Sequence, residues 1–384
     1  MTKRVNVNPT MMRWAAERAG LGEEQLATWP KWRAWFDGAA QPTVQQARAF
    51  AKRTHIPFGV LLLDEPPEVD LPVADFRAGR GRSCRVSPQL LDTVYACQRV
   101  QDWYVDYARD EGAEPLGFPG SAGKGIGETA AAIATTLQFT VPARRRGKLR
   151  DATTALRYVA DRFEKLGGLA MFNSVVGNNT HRTLFLEEVR GLSLNSDIAP
   201  LIFVNSADTK AGQLFSFFHE CAHIWRGDSG VSVDISPDSR AGGGVEAWCN
   251  KVAAEVLVPA DDLRAEGVRA AALAEDAERL ARERYLCSPL VVILAAKAAG
   301  LVDAERADRV FSRESARLAA LAAKTGKGGG DFYRTLPARI GRTAYEAILR
   351  QVRGGVTSYT EAMSLLDVRL GTLDRLLGRN ENAA

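Results

Sequence analysis

The segment His219-Glu220-Cys221-Ala222-His223 sets two imidazoles four residues apart with a carboxylate between them. Four residues is just over one α-helical turn, so on a helix both rings rise on one face about 6 Å apart and can grip one cation. Glu220, beside them, is placed to take a proton from an attacking water. Residues 211–225 are apolar at Leu214, Phe217, Phe218, Cys221, Ala222 and Trp225, the pattern of a buried helix, with Ser206 or Asp208 as the expected cap. Two of the chain's four histidines stand here. The bland alternative is a pair of core histidines bonded to backbone carbonyls, which would bury two imidazoles and a carboxylate at a cost no cation offsets.

A catalytic zinc takes three protein ligands plus water, so a third donor is required. Residues 245–258, VEAWCNKVAAEVLV, form a second helical stretch, preceded by Gly242-Gly243-Gly244 and stopped by Pro259. Glu246 lies 23 residues after His223, and Asn250 follows one turn later on the same face. That arrangement lets the carboxylate ligate while its neighbour orients a ligand histidine. Glu255 is the rival third ligand, with an arginine pair as its alternative use. Cys221 and Cys249 are soft donors nearby, but their helix positions turn away from the metal face, so they are expected as small core residues. His181 and Arg182, in the polar loop VGNNTHRT, are candidate oxyanion or substrate contacts, with a simple turn as the alternative.

The elements that must position these groups are legible in outline. Short helices are expected at residues 10–18, 22–27, 31–36 and 43–53, and the chain breaks at Glu65-Pro66-Pro67. Three-to-four spacing of apolar residues over 87–110 predicts a long helix. The glycine-rich 117–127 is no phosphate loop, because Gly125 follows Lys124 where Ser or Thr would coordinate magnesium. A helix at 150–166 leads into strand-like runs at 169–172, 184–187, 192–194 and 201–205, a small sheet laid down before the histidine helix. Helices near 261–299 and 304–323, a glycine turn at 326–330 and two more helices complete the chain.

The chain has 384 residues, 46% of them hydrophobic, enough for two or three packed units. The expected class is α+β, with a helical domain at 1–67, a helical connector at 68–149, a zincin-like peptidase domain at 150–300 and a helical C-terminal region at 301–384. Five cysteines without a CxxC pair argue against a disulfide framework. No apolar run suits a secretion signal or a membrane span, so a cytoplasmic protein with no membrane partner is expected. Residues 1–60 carry nine Lys/Arg against four Asp/Glu, a net +5, and further basic clusters stand at Arg77, Arg80, Arg82, Arg85 and at Arg144, Arg145, Arg146, Lys148, Arg150. Such clusters are either solvated loops or sites of weak, single-stranded or sequence-indifferent DNA contact.

The sequence resembles the ImmA/IrrE metallo-endopeptidases in the long form that carries an N-terminal XRE-type helix-turn-helix. The resemblance rests on GGLAMFNSVVGNNTHRTLFLEEVRGLSLNSDIAPLIFVNS, LFSFFHECAHIWRGDSGVS and EAWCNKVAAEVLVP, and on RWAAERAG with QPTVQQARAFAKRTHIPFGVLLLDEPP near the N-terminus. It implies an intracellular zinc peptidase, manganese being a substitute metal, that cleaves an XRE-type repressor in a stress, mobile-element or defence response. It also implies His219, His223 and Glu246 as ligands and Glu220 as base. One departure stands out: only seven residues separate Leu26-Ala27 from Trp35, so the turn and recognition helix are shortened, and Trp32, Trp35 and Phe36 are expected to pack rather than read bases. The rival readings are a DNA-binding regulator with a structural metal and a module that binds a repressor without cutting it.

Overall fold

The computed structural model describes residues 3–67, 71–75, 86–233, 244–322 and 331–381. The chain forms two compact units, residues 1–72 with 85–92, and residues 73–84 with 93–384. The first is helical: α1 (Pro9–Arg18), α2 (Glu23–Leu26), α3 (Trp32–Phe36), α4 (Val44–Thr54) and a 3-10 turn at Phe58–Leu62. Asn8 caps α1, and Thr43 with Gln46 closes a reciprocal capping box on α4. Met11, Met12, Ala15, Phe50 and Leu61 form its core, and Trp35 is 2% exposed among them. Trp32 and Phe36 are half-buried against that core. α2 and α3, which stand where the turn and recognition helix of a helix-turn-helix are expected, are only four and five residues long, too short to lie along a major groove.

The second unit carries a five-stranded mixed sheet. Its strands are β1 (Ala74–Asp75), β2 (Leu169–Asn173), β5 (Gly191–Leu194), β6 (Leu201–Asn205) and β7 (Gly230–Ser232), in the order β1-β7-β5-β6-β2. β5 runs antiparallel to both β6 and β7, while β2–β6 and β1–β7 are parallel. A separate hairpin joins β3 (Val175–Val176) to β4 (Asn179–Thr183). Here the structure corrects the sequence reading: the loop NNTHRT is a strand, and 184–187 is not. Each β4 residue is polar and mostly exposed, so it lacks the alternation that reveals a strand.

The helices between β1 and β2 are α5 (Pro88–Asp110), α6 (Ile126–Thr136), α7 (Val141–Arg146) and α8 (Ala152–Lys165), the last capped by Asp151. Then come α9 (Lys210–Arg226) and α10 (Val245–Leu257), which pack on each other, α10 also meeting α6 and α9 also meeting α8, β5 and β6. The stretch 261–299 is not one helix: it comprises α11 (Ala260–Ala265), α12 (Leu273–Leu280), a π turn at Ala281–Tyr285 and α13 (Pro289–Ala298), broken where Leu286 adopts a left-handed φ of 58°. α14 (Ala304–Ala322) packs on α13. The last four helices are α15 (Phe332–Ile340), α16 (Arg342–Arg353), α17 (Tyr359–Leu366) and α18 (Leu370–Glu381), with α15 and α16 against β2.

The basic run at 144–150 is not a uniform solvated surface. Arg144 is 2% exposed, and its guanidinium donates to the carbonyls of Phe139, Val256, Leu257 and Tyr285. It is a core staple joining α7, α10 and the π turn, and burial lowers its pKa to about 10. The other basic cluster, at 77–85, lies outside the described residues, as do Gly242, Gly243 and the 326–330 turn. Among the described residues no helix is long and apolar enough to cross a membrane.

Candidate metal centre

Helix α9 is buried without a break from Gln213 to Trp225. Its cap is neither Ser206 nor Asp208 but Thr209, whose Oγ1 accepts the Gly212 N–H at 3.1 Å. Asp208 is drawn elsewhere: it pairs with Arg190 at 2.5 Å and so ties the helix start to the segment before β5. At the far end Gly227 takes a φ of 83°, and the N–H groups of Gly120 and Ala122 satisfy the carbonyls of Ile224 and Trp225. The glycine-rich segment thus caps the histidine helix, with Phe118 stacked on Trp225 at 4.6 Å.

The pitch of α9 brings His219 Nε2 and His223 Nε2 to 3.1 Å. From the first turn of α10, Glu246 reaches both, Oε1 lying 3.0 Å from His223 Nε2 and Oε2 3.4 Å from His219 Nε2. These three residues offer ligand atoms within 4.8 Å of one another. Asn250, one turn along α10, sets its Oδ1 2.9 Å from His219 Nδ1. An N–H at Nδ1 leaves the Nε2 lone pair facing Glu246 and His223, the tautomer a metal ligand needs.

The electrostatics fit a cation at this point. Burial alone would raise the Glu246 carboxyl, but the two imidazoles outweigh it and bring the pKa down to about 2. Burial pulls both histidines downward; His223 stays low, whereas Glu246, Glu220 and Asn250 more than reverse the effect at His219. Neither Glu246 oxygen accepts a hydrogen bond of good geometry. Two imidazole nitrogens and a carboxylate suit zinc or a similar divalent ion.

Glu220 is fully buried, and neither of its oxygens makes a well-formed hydrogen bond. Burial pushes its pKa up to about 8, His219 opposes that, Glu246 adds to it, and the hydroxyls of Ser193 and Ser232 lower it. The space for this carboxylate comes from the sheet beneath α9. Gly191 and Ser193 point to the same face of β5, and Gly191 pairs across the ladder with Ser232 of β7. A Cβ on Gly191 would stand 2.2 Å from Glu220 Oε1. Sequence reasoning missed these three small residues; their trace is the placement of Gly and Ser in the otherwise apolar GLSL.

Glu255 is not in the cluster. Its Oε1 accepts the Ala260 N–H at 3.1 Å at the start of α11, and among the described residues it joins neither a metal-ligand cluster nor an arginine. Cys221 and Cys249 are buried in the core, where burial raises both thiols. His181 and Arg182 lie on β4 of the separate hairpin, His181 exposed with its N–H bonded to Asn179 Oδ1. That hairpin is held by the C-terminal helices: Asp367 Oδ2 accepts the Asn178 N–H at 2.7 Å, and Arg339 donates to Asn178 Oδ1.

Residues 164–289 match the family model Peptidase_M78, the IrrE N-terminal-like domain. The matched span covers about a third of the chain and contains β2 through β7, α9 and α10, hence each residue of the cluster. Neither a curated protein nor a solved structure matches the chain. The M78 match supports a peptidase of the ImmA/IrrE kind, in a mixed α+β unit whose His219, His223 and Glu246 can hold a metal.

Proposed function

We propose that the protein is a zinc-dependent endopeptidase that cuts an XRE-type repressor and thereby changes transcription in a stress, mobile-element or defence response. The observation that carries this reading is the convergence of His219, His223 and Glu246 beside a buried Glu220 whose oxygens make no well-formed hydrogen bond. A structural metal site has no use for such a carboxylate. When bound there, a divalent metal supplies Lewis acidity that polarises the scissile carbonyl and acidifies water. Glu220 takes the proton from the attacking water and delivers it to the leaving amine. Asn250 fixes the His219 ring, and Gly191, Ser193 and Ser232 hold open the space in which Glu220 sits.

The net +5 of residues 1–60 favours weak phosphate contact by the first unit, and its short α2 and α3 disfavour base-specific reading. The function is tested by incubating the zinc-loaded protein with the XRE-type repressor encoded nearest to it. A discrete fragment is expected from wild type and none from Glu220→Gln. An intact repressor with wild type, or the same fragment with both proteins, contradicts the reading.

A further inference from the structure

A groove of about 860 Å³ lies among α8, β2, the first turns of α9, and α15–α16. It is lined by four cations, Arg157, Lys210, Arg334 and Arg342, and by two carboxylates, Asp161 and Glu164. Four cations against two carboxylates leave the lining with an excess of positive charge. Asp161 pairs with Lys165 at 2.8 Å. Glu164 turns onto the start of α16, where its Oε1 accepts the Thr343 N–H at 3.4 Å, and burial pushes its pKa up to about 7. Among the described residues no carboxylate lies within salt-bridge distance of Arg157, Arg334 or Arg342, although the Arg342 charge is felt at Glu164. Lys210 is bonded to the neutral Gln213 at 3.0 Å, and burial together with Arg157 lowers its pKa.

Cations that outnumber carboxylates around a concave surface focus a positive potential and concentrate anions there. One helix-terminal N–H at this end is taken by Thr209, that of Gly212 on α9, and another by Glu164, that of Thr343 on α16. An anion would therefore be met by side chains, and three guanidinium forks match the oxygens of phosphate groups. The half-buried rings of Tyr158 and Phe172 also line the groove and supply apolar surface for a planar base. Its volume lies within the range of about 300–1,000 Å³ usual for small-molecule sites.

We propose that this groove binds a free phosphorylated ligand of nucleotide size that carries at least two phosphate charges, held by Arg157, Lys210, Arg334 and Arg342. The site is independent of the metal-centre reading, although Lys210 is the first residue of the histidine helix. A bounded groove with ring surface favours a nucleotide over an acidic peptide.

Calorimetry on the full chain at about 50 and 200 mM salt tests it, with ATP, pyrophosphate, a single-stranded dT 20-mer and a poly-glutamate peptide as probes. ATP is expected to bind with a Kd of order 10 µM at the lower salt, and pyrophosphate more weakly. The Arg157→Ala/Arg342→Ala variant is expected to weaken ATP at least tenfold with unchanged thermal unfolding. Arg109→Ala, exposed and outside the groove, is expected to leave binding unaltered. Absence of ATP binding at about 1 mM overturns the proposal. Equal weakening by Arg109→Ala also overturns it, as does a 20-mer or peptide that binds at least tenfold tighter than ATP.

Discussion

Glu220 Oε1 lies where a side chain on Gly191 would have to begin: the missing Cβ would be 2.2 Å from that oxygen and 2.8 Å from the carboxyl carbon. The first consequence is steric. Gly191→Ala should displace the Glu220 carboxylate while leaving His219, His223 and Glu246 in place. The expected outcome is a loss of at least about tenfold in kcat/KM, or ~1.4 kcal/mol, with metal content unchanged. Activity within about twofold of wild type would show that the carboxylate works from another position.

Arg144 supports stability rather than nucleic-acid contact. Its guanidinium satisfies carbonyls from three segments, so Arg144→Met should leave buried acceptors unpaired and cost about 3 kcal/mol or more. Arg144→Lys should recover only part, because an ammonium cannot reproduce the planar fork. Thermal or urea unfolding measures both. Unchanged stability combined with weaker DNA binding would return Arg144 to the surface role its arginine-rich neighbourhood suggests.

Glu164 gives the fold a pH dependence whose sign is fixed. Its folded pKa, about 7, lies above the ordinary 4.5, so the native state holds a proton that the unfolded chain has lost. The resulting stabilisation is complete below about pH 4.5 and disappears as pH rises through about 7, amounting to at most about 3 kcal/mol. Glu164→Gln should flatten this slope in urea titrations between pH 5 and 8 by about that amount. A slope that survives the substitution assigns the effect to another group.

The two helices that carry His219, His223 and Glu246 were legible because their information is local. Histidines four apart on an apolar stripe, and Glu246 with Asn250 one turn apart, need only helical pitch to be brought to bear. What the sequence hid depends on distant segments. The pocket for Glu220 exists because β5 pairs with β7 in the register that sets Gly191 against Ser232, and β7, three residues long, carries no periodicity of its own. Arg144 is buried by Leu257, 113 positions away, so an Arg-Arg-Arg run reads as solvated until the chain folds. The cap of α9 is Thr209, while Asp208 is bonded to Arg190, 18 residues earlier, a partner that helix-start rules do not reveal. The polar β4 gave no alternation to find.

Metal content per chain tests the central claim most directly. Mass spectrometric metal analysis of the purified protein should give one zinc or similar divalent ion per chain for wild type and Glu220→Gln. His223→Ala and Glu246→Ala should lose most of it, whereas Glu255→Ala, whose carboxylate caps α11, should keep it. Full metal retention in His223→Ala, or a larger loss from Glu255→Ala than from Glu246→Ala, would contradict the account.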